Sequence, residues 1–324
     1  MKNEILIEVS HLYKAFGKLL AVNDVSLEIK AGEIFGLVGP DGAGKTTTMR
    51  LLCGAYTPSR PNNNQVTKIR VGGCDVITQT EHAREKIGYL PQRFSLYDEL
   101  TVLENIRFFS ETRGLKESDW KPRCLEILEF VGLIDFIDRR AGHLSGGMKQ
   151  KLGLAAALVH NPSILLLDEP TTGVDPVTRQ DFWQLIIRLV TNNNSDKYST
   201  AVLISTPYMD EASRCTRIGF MHHARIVVEG TPEQLSSGLN GRILELIGSP
   251  LSILRRLAVA DEDVESVQMF GDNLHIRVKE GCSEQVQKRL QKDITAKGYR
   301  LSRLRVIPPQ LEDVFIFMTE TLHE

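Results

Sequence analysis

Eight consecutive residues, Gly39-Pro40-Asp41-Gly42-Ala43-Gly44-Lys45-Thr46, satisfy the pattern G-x-x-x-x-G-K-[ST]. Glycines at this spacing let several backbone N–H groups turn toward one anion, and a helix opening behind them adds its positive dipole end. In a loop of this kind Lys45 reaches the β- and γ-phosphates of a nucleoside triphosphate, and the hydroxyl of Thr46 coordinates Mg²⁺. The flanking sequence supplies the elements that such a loop needs. Residues 34–38 (Ile-Phe-Gly-Leu-Val) are a short apolar run, the form of a buried parallel strand. Residues 46–52 contain no breaker before Gly54 and read as a helix.

A second segment offers carboxylates. Residues 164–169 read Ile-Leu-Leu-Leu-Asp-Glu, a buried strand that ends in two acids at its C-terminal edge. Ligands of open α/β sheets collect at that edge. Asp168 is the candidate for holding Mg²⁺, and Glu169 the candidate for polarising an attacking water. Between the two segments stands Leu144-Ser145-Gly146-Gly147-Met148, followed by a helical run to Ala157. Ser145 is a good N-cap, so the N–H groups of Gly146 and Gly147 sit at a second anion-binding helix start.

In order and spacing these three segments, with Gly173-Val174-Asp175-Pro176, resemble an ATP-binding cassette (ABC) ATPase over residues 4 to about 235. The resemblance implies a role for further residues. Phe16 is the aromatic that stacks on adenine, which needs only a π-face. Gly39, Pro40, Asp41, Gly42, Ala43, Gly44, Lys45, Thr46 and Thr47 enclose the phosphates. Gln92, in Gly88-Tyr89-Leu90-Pro91-Gln92, touches Mg²⁺ and links the site to a membrane partner, and Asp175 communicates across a dimer. Ser145, Gly146 and Gly147 bind the γ-phosphate of ATP held by the opposite subunit. A second cassette, identical or not, and separate membrane permease subunits are therefore implied partners, with the chain on the cytoplasmic face of the membrane. The close at 308–315, Pro-Pro-Gln-Leu-Glu-Asp-Val-Phe, resembles drug- and polysaccharide-type exporter ATPases. The implied function is an ATP-hydrolysing subunit of a multidrug-type exporter.

Two positions depart from the family pattern. Asp41 stands where Asn is usual and adds like charge beside a triphosphate. Pro207 stands where the switch histidine should follow Ile204-Ser205-Thr206. Proline has neither an imidazole nor an N–H to offer a γ-phosphate, so this chain's own site is expected to bind well and hydrolyse poorly. His222 and His223 lie downstream, in or beside the next strand, and are not assigned that role. Pro207 also keeps open a scaffold cassette that completes a partner's site. A soluble ABC ATPase acting on ribosomes or DNA is the third reading. Such proteins usually carry two cassettes, a coiled-coil insert or basic extensions, none of which is visible here.

Composition agrees with an enzyme that works in a reducing compartment and does not bind nucleic acid. Net charge is −2 and the isoelectric point near 6.5, which gives no electrostatic case for nucleic acid or an anionic surface. Five cysteines (Cys53, Cys74, Cys124, Cys215, Cys282) are scattered without C-x-x-C spacing, the pattern of reduced thiols. Residues 1–8 lack a secretory apolar core, and no apolar run approaches the roughly 18–20 residues of a spanning helix.

The expected fold class is α/β. A P-loop NTPase cassette at 1–235 has a mixed core sheet, an antiparallel β subdomain and a helical subdomain at about 93–145. An α+β accessory domain of ferredoxin-like type follows at 236–324. In the first, 25–29 alternates and pairs with 4–9. Residues 57–67 and 191–196 are polar loops. Helical patterning at 102–112 and 124–131 marks the subdomain that, by the resemblance, receives a coupling helix, with Phe108, Phe109, Phe130 and Phe136 as core packing. In the second, strand, helix, strand, strand, helix, strand are expected at 242–247, 251–258, 264–270, 274–278, 283–296 and 299–306, a β-α-β-β-α-β order.

Overall fold

Apolar runs without a polar break form the strands of the central sheet. In the computed structural model, which describes residues 4–60, 65–93, 95–191 and 200–321, the chain divides into two compact units, Met1–Glu229 and Gly230–Glu324. The first begins with β1 (Ile5–Phe16) and β2 (Leu19–Lys30), a long antiparallel hairpin that pairs Ile7 with Ile29 and Val9 with Leu27. Next come β3 (Ile34–Val38), α1 (Lys45–Leu52), β4 (Lys68–Val71), β5 (Cys74–Asp75), α2 (Thr80–Glu85) and β6 (Ile87–Leu90). Then follow α3 (Val102–Thr112), α4 (Glu117–Val131), α5 (Gly146–Leu158) and β7 (Ile164–Asp168). The unit closes with α6 (Pro176–Thr191), β8 (Ala201–Thr206), α7 (Met209–Ala212), β9 (Arg217–His222) and β10 (Arg225–Gly230).

Two sheets organise this unit. One is antiparallel, in the order β2-β1-β4-β5; the other runs β10-β9-β3-β8-β7-β6, and its pairings from β9 to β6 are parallel. β3, β7 and β8 are buried along their whole length, as strands covered on both faces must be. The order matters for the site. β8 lies between β3 and β7, with Val38 opposite Thr206 and Asp168 opposite Ser205. The glycine loop and the carboxylate pair therefore leave the sheet at one edge with β8 between them.

The helical segment is started by a capping box at Thr101, which accepts from the Glu104 N–H while Glu104 returns the bond. Its interior is Val102, Ile106, Trp120, Cys124, Leu128 and Val131. The four phenylalanines expected as core lie outside that interior. Phe108 is 38% exposed and Phe109, Phe130 and Phe136 are half-buried, because the small residues and aliphatics already fill the space. Phe108 and Phe109 pack instead on Tyr97 at 4.5 and 6.3 Å between ring centroids. Residues 192–196 of the expected Asn-rich loop, and 61–64 of the 57–67 loop, lie outside the described residues.

The second unit contains α8 (Pro232–Ser237), β11 (Ile243–Ser249), α9 (Leu251–Val259), β12 (Val264–Phe270), β13 (Asn273–Val278), α10 (Ser283–Ala296), β14 (Arg300–Ile307) and α11 (Leu311–Thr321). Its sheet runs β12-β13-β11-β14 with every pairing antiparallel, the β-α-β-β-α-β topology. Val286, Leu290 and Ile294 recur at one face of α10 and meet Leu244, Leu246 and Ile276 of the sheet. The closing Leu-Glu-Asp-Val-Phe segment opens α11, and there Asp313 bonds the ring of His275 at 2.9 Å and the Gln310 N–H at 2.8 Å. All five cysteines are free. Among the described residues no helix is long and apolar enough to cross a membrane.

Candidate nucleotide-binding site

The loop between β3 and α1 is shaped by close backbone approach. A side chain at Gly39 would meet the Met221 carbonyl oxygen at 2.1 Å, and Gly44, at φ 108°, would meet the Ala21 carbonyl oxygen at 2.3 Å. Only glycine fits either place. Gly44 is also the N-cap of α1, so the helix opens directly on the loop. Ala43 is buried beneath the turn, while Pro40, Asp41 and Gly42 are exposed on it.

Lys45 and Glu169 meet at the bottom of this loop. The Lys45 ammonium donates to the carbonyl oxygens of Gly39 (2.8 Å) and Pro40 (3.0 Å) and lies 3.2 Å from Glu169 Oε1. Thr46 donates to Asp168 Oδ1 at 3.0 Å. Gln92 donates to Glu169 Oε2 at 2.9 Å. Glu169 has a φ of 46°, a left-handed conformation that costs a non-glycine residue on the order of 1–2 kcal/mol. Its N–H is held there by Ser205, to Oγ at 2.9 Å and to the carbonyl oxygen at 3.2 Å. The turn swings the carboxylate back over the sheet edge toward Lys45.

Phe16, at the end of β1, reaches the same place from the antiparallel sheet. A cavity of about 280 Å³ is lined by Phe16, Gly42, Gly44, Lys45, Thr46, Thr47 and Glu169, with Leu19 to Ala21 at its side. The Phe16 ring is 42% exposed, stands at a steep angle to the Tyr56 ring at 5.3 Å and has the Lys14 ammonium 5.0 Å from its centroid. The remaining sequence candidates stand apart. Ser145 caps α5, accepting from the Met148 N–H at 3.3 Å, and is exposed with Gly146; neither they nor Gly147 line this cavity. Asp175 is exposed ahead of α6. Its bonds with Thr178, first among them the side chain's, hold its carboxyl below the usual range.

Two residues bonded to Asp168, Ser205 and Tyr89, carry no sequence signal of their own. Ser205 donates to Asp168 Oδ1 at 2.8 Å as well as holding the Glu169 N–H. Tyr89 places its hydroxyl 3.3 Å from Asp168 Oδ2, and burial and that carboxylate push its ionisation well up. Pro207 leaves β8 at the sheet edge between β3 and β7, half-buried. Only the polar pair Ser205-Thr206 ending an apolar strand could have pointed here.

The donors near Thr46 suit Mg²⁺. They are a hydroxyl and a carboxylate, hard oxygen ligands, and such sites take their remaining ligands from phosphates and water rather than from a protein cage. Among the described residues there is no cluster of three or more His, Cys, Asp or Glu side chains that could hold a metal by itself.

A glycine loop on a helix start, facing a strand-end Asp-Glu pair across a parallel sheet, defines a P-loop nucleotide-binding ATPase. Residues 22–172 match the ABC transporter family. The chain is 40% identical over 234 residues to the probable multidrug ABC transporter ATP-binding protein YbhF of Escherichia coli (strain K12), covering 72% of this chain and 38% of that one. The chain thus spans less than half the length of that relative. It is 33% identical to the linearmycin resistance ATP-binding protein LnrL of Bacillus subtilis (strain 168), covering 97% of this chain and 98% of that one. An ATP-binding cassette solved as a dimer in a post-hydrolysis state with ADP and Pi is 26% identical, with a TM-score of 0.60 over 69% of this chain and 98% of that one. The chain belongs to the ATP-binding subunits of ABC transporters, a family of ATPases.

Proposed function

We propose that this chain powers an exporter of small molecules by binding and hydrolysing ATP as one half of a cassette pair. The observation that carries the reading is the convergence at one sheet edge of two contact sets, Lys45 and Gln92 on Glu169 and Thr46 on Asp168, with Ser205 bonded to Asp168 and to the Glu169 N–H. Phe16 stacks on the base, and the loop 39–47 takes the phosphates. Lys45 exchanges its Glu169 contact for β/γ-phosphate oxygens. Thr46, Asp168 and Gln92 hold Mg²⁺, which when bound neutralises charge on the phosphates. Glu169, released from Lys45, accepts hydrogen bonding from the attacking water.

Ser145, Gly146 and Gly147 project a helix start into solvent away from this cavity, the disposition of a site meant for another cassette's nucleotide. The relative solved as a dimer supports that reading. A second cavity, about 650 Å³, opens beside α2, the end of α3 and Tyr89, and suits a permease segment. Efflux of drug-like compounds is the reading favoured by the relatives named for multidrug transport and linearmycin resistance. Pro207 slows hydrolysis at this chain's own loop.

Purification of the chain with its membrane partner, followed by ATPase and vesicle transport assays, tests this. ATP turnover that depends on Lys45 and rises with the transported compound is expected. An intact complex that moves no compound on adding ATP would refute export, and a chain that binds no ATP would refute the site.

A further inference from the structure

Glu211, on α7, is wholly buried, yet the reading above gives it no role. A buried carboxylate persists only where hydrogen bonds and opposite charge replace its water. Its partners come from three segments. Thr171, two residues past Glu169, donates to Oε1 at 2.5 Å. Thr206, the last residue of β8, donates to Oε2 at 2.7 Å. Arg179, in the first turn of α6, places Nε 3.5 Å from Oε1. Distances of this order are those of charge-assisted O–H···O⁻ bonds.

Arg179 also grips the residue after the proline. Its guanidinium lies 4.4 Å from the centroid of the Tyr208 ring, and its Nη1 lies 3.7 Å from Asp210 Oδ2. The Tyr208 N–H in turn donates to the Thr206 hydroxyl at 3.0 Å. Both neighbours of Pro207 are therefore contacted by one Glu–Arg pair, which also bears on the segment after Glu169. Ser205, one residue before Thr206, is the group that holds Asp168 and the Glu169 N–H.

We propose that Glu211 and Arg179 are positioning residues. They lock the β8 edge, and through Ser205 the two carboxylates, against the start of α6. In a chain whose Pro207 offers no side-chain donor to the nucleotide, this clamp does the aligning at that corner. The inference rests on the nucleotide-site reading above. Neither residue touches substrate, so the loss of either acts on turnover rather than on ATP capture.

The full chain carrying Glu211→Gln, Thr206→Val or both is compared with wild type by ATP titration, single-turnover hydrolysis and thermal unfolding. Each single change is expected to slow single-turnover hydrolysis by about tenfold or more, with ATP affinity held within about threefold, since small misplacements of catalytic groups cost rate first. The double variant is expected to be no slower than the worse single one, because both remove the same contact. Amide exchange gives a readout independent of turnover: residues 169–179 and 205–209 should exchange faster, and 243–307 should not change. Thr206→Val keeps the test open should Glu211→Gln fold poorly. Rates within about twofold of wild type, or losses of rate matched by losses of affinity and melting temperature, would overturn the clamp. Unchanged exchange at 169–179 would do the same. Wild-type protein that bound no ATP would overturn the underlying site reading instead.

Discussion

The ammonium of Lys45 lies 3.2 Å from the carboxylate of Glu169, and the two side chains are only 3% and 7% exposed. A buried pair of this kind holds two charges that would each be costly alone. It also makes them interdependent: in the proposed reaction a triphosphate at the loop would compete with Glu169 for the same cation, and capture of that cation would free the carboxylate, which would link binding to activation of the proposed base.

Lys45→Ala is expected to abolish ATP binding at this loop, because among the described residues no other side-chain cation lines its cavity. The change also strands the Glu169 carboxylate, so the melting temperature should fall, and Lys45→Ala/Glu169→Gln should recover part of it. Equilibrium binding of a labelled ATP analogue together with thermal scans reads both effects. Unaltered affinity would remove Lys45 from the site.

Glu169→Gln is expected to keep ATP affinity and to accumulate an ATP-bound cassette pair. The amide can still bond Gln92 and water but cannot take a proton. Gel filtration with and without ATP detects the pair, and an elution volume unmoved by ATP counts against Glu169 as base or against Gly146 and Gly147 as a cross-subunit site.

Pro207→His should raise single-turnover hydrolysis on the order of ten- to a hundredfold, at or below the lower bound of the roughly 10²–10⁴-fold that a positioned acid–base group supplies. The gain is limited because Thr206 and Tyr208 are held by Glu211 and Arg179 around a residue of fixed φ. It should appear in kcat and leave ATP affinity unchanged. Equal, brisk rates in both proteins would show that the histidine is dispensable here.

His160 lends the fold a pH dependence. Burial, and then the nearby cation of Arg113, lower its pKa to about 4. Its Nε2 lies 3.0 Å from the Ile87 carbonyl oxygen. The unfolded chain, with a histidine of pKa about 6.5, binds more protons between those values, so stability falls as pH drops from about 6.5 to 4. Chemical denaturation at pH 7 and pH 5 should show a loss in wild type that is smaller in His160→Gln. Identical pH slopes in the two would exclude His160 as the source.

Local pattern determined much of this protein. The glycine loop, the strand-end carboxylates and the Ser145 cap are chain-adjacent constellations, so their chemistry is written in consecutive residues. Periodicity likewise placed the six β-α-β-β-α-β elements of the second unit, down to Val264–Phe270 and Ser283–Ala296, but not its α8 and α11. Long strands were underestimated: β1 and β2 run to Phe16 and from Leu19, since hairpin pairing extends strands past the residues whose burial alternates.

The tertiary structure decided what sheet order and burial control. That β8 falls between β3 and β7, so that Ser205 bonds Asp168 and the Glu169 N–H, follows from crossover connections that no local pattern encodes. Packing makes Glu211 the buried partner of Thr171, Thr206 and Arg179, three residues from separate segments of the chain. Phe108 reads as core and is exposed, because the interior beneath it is already filled. Sequence fixes which groups are available within one turn or strand, while the meeting of groups as distant as Lys45 and Glu169 is settled by packing.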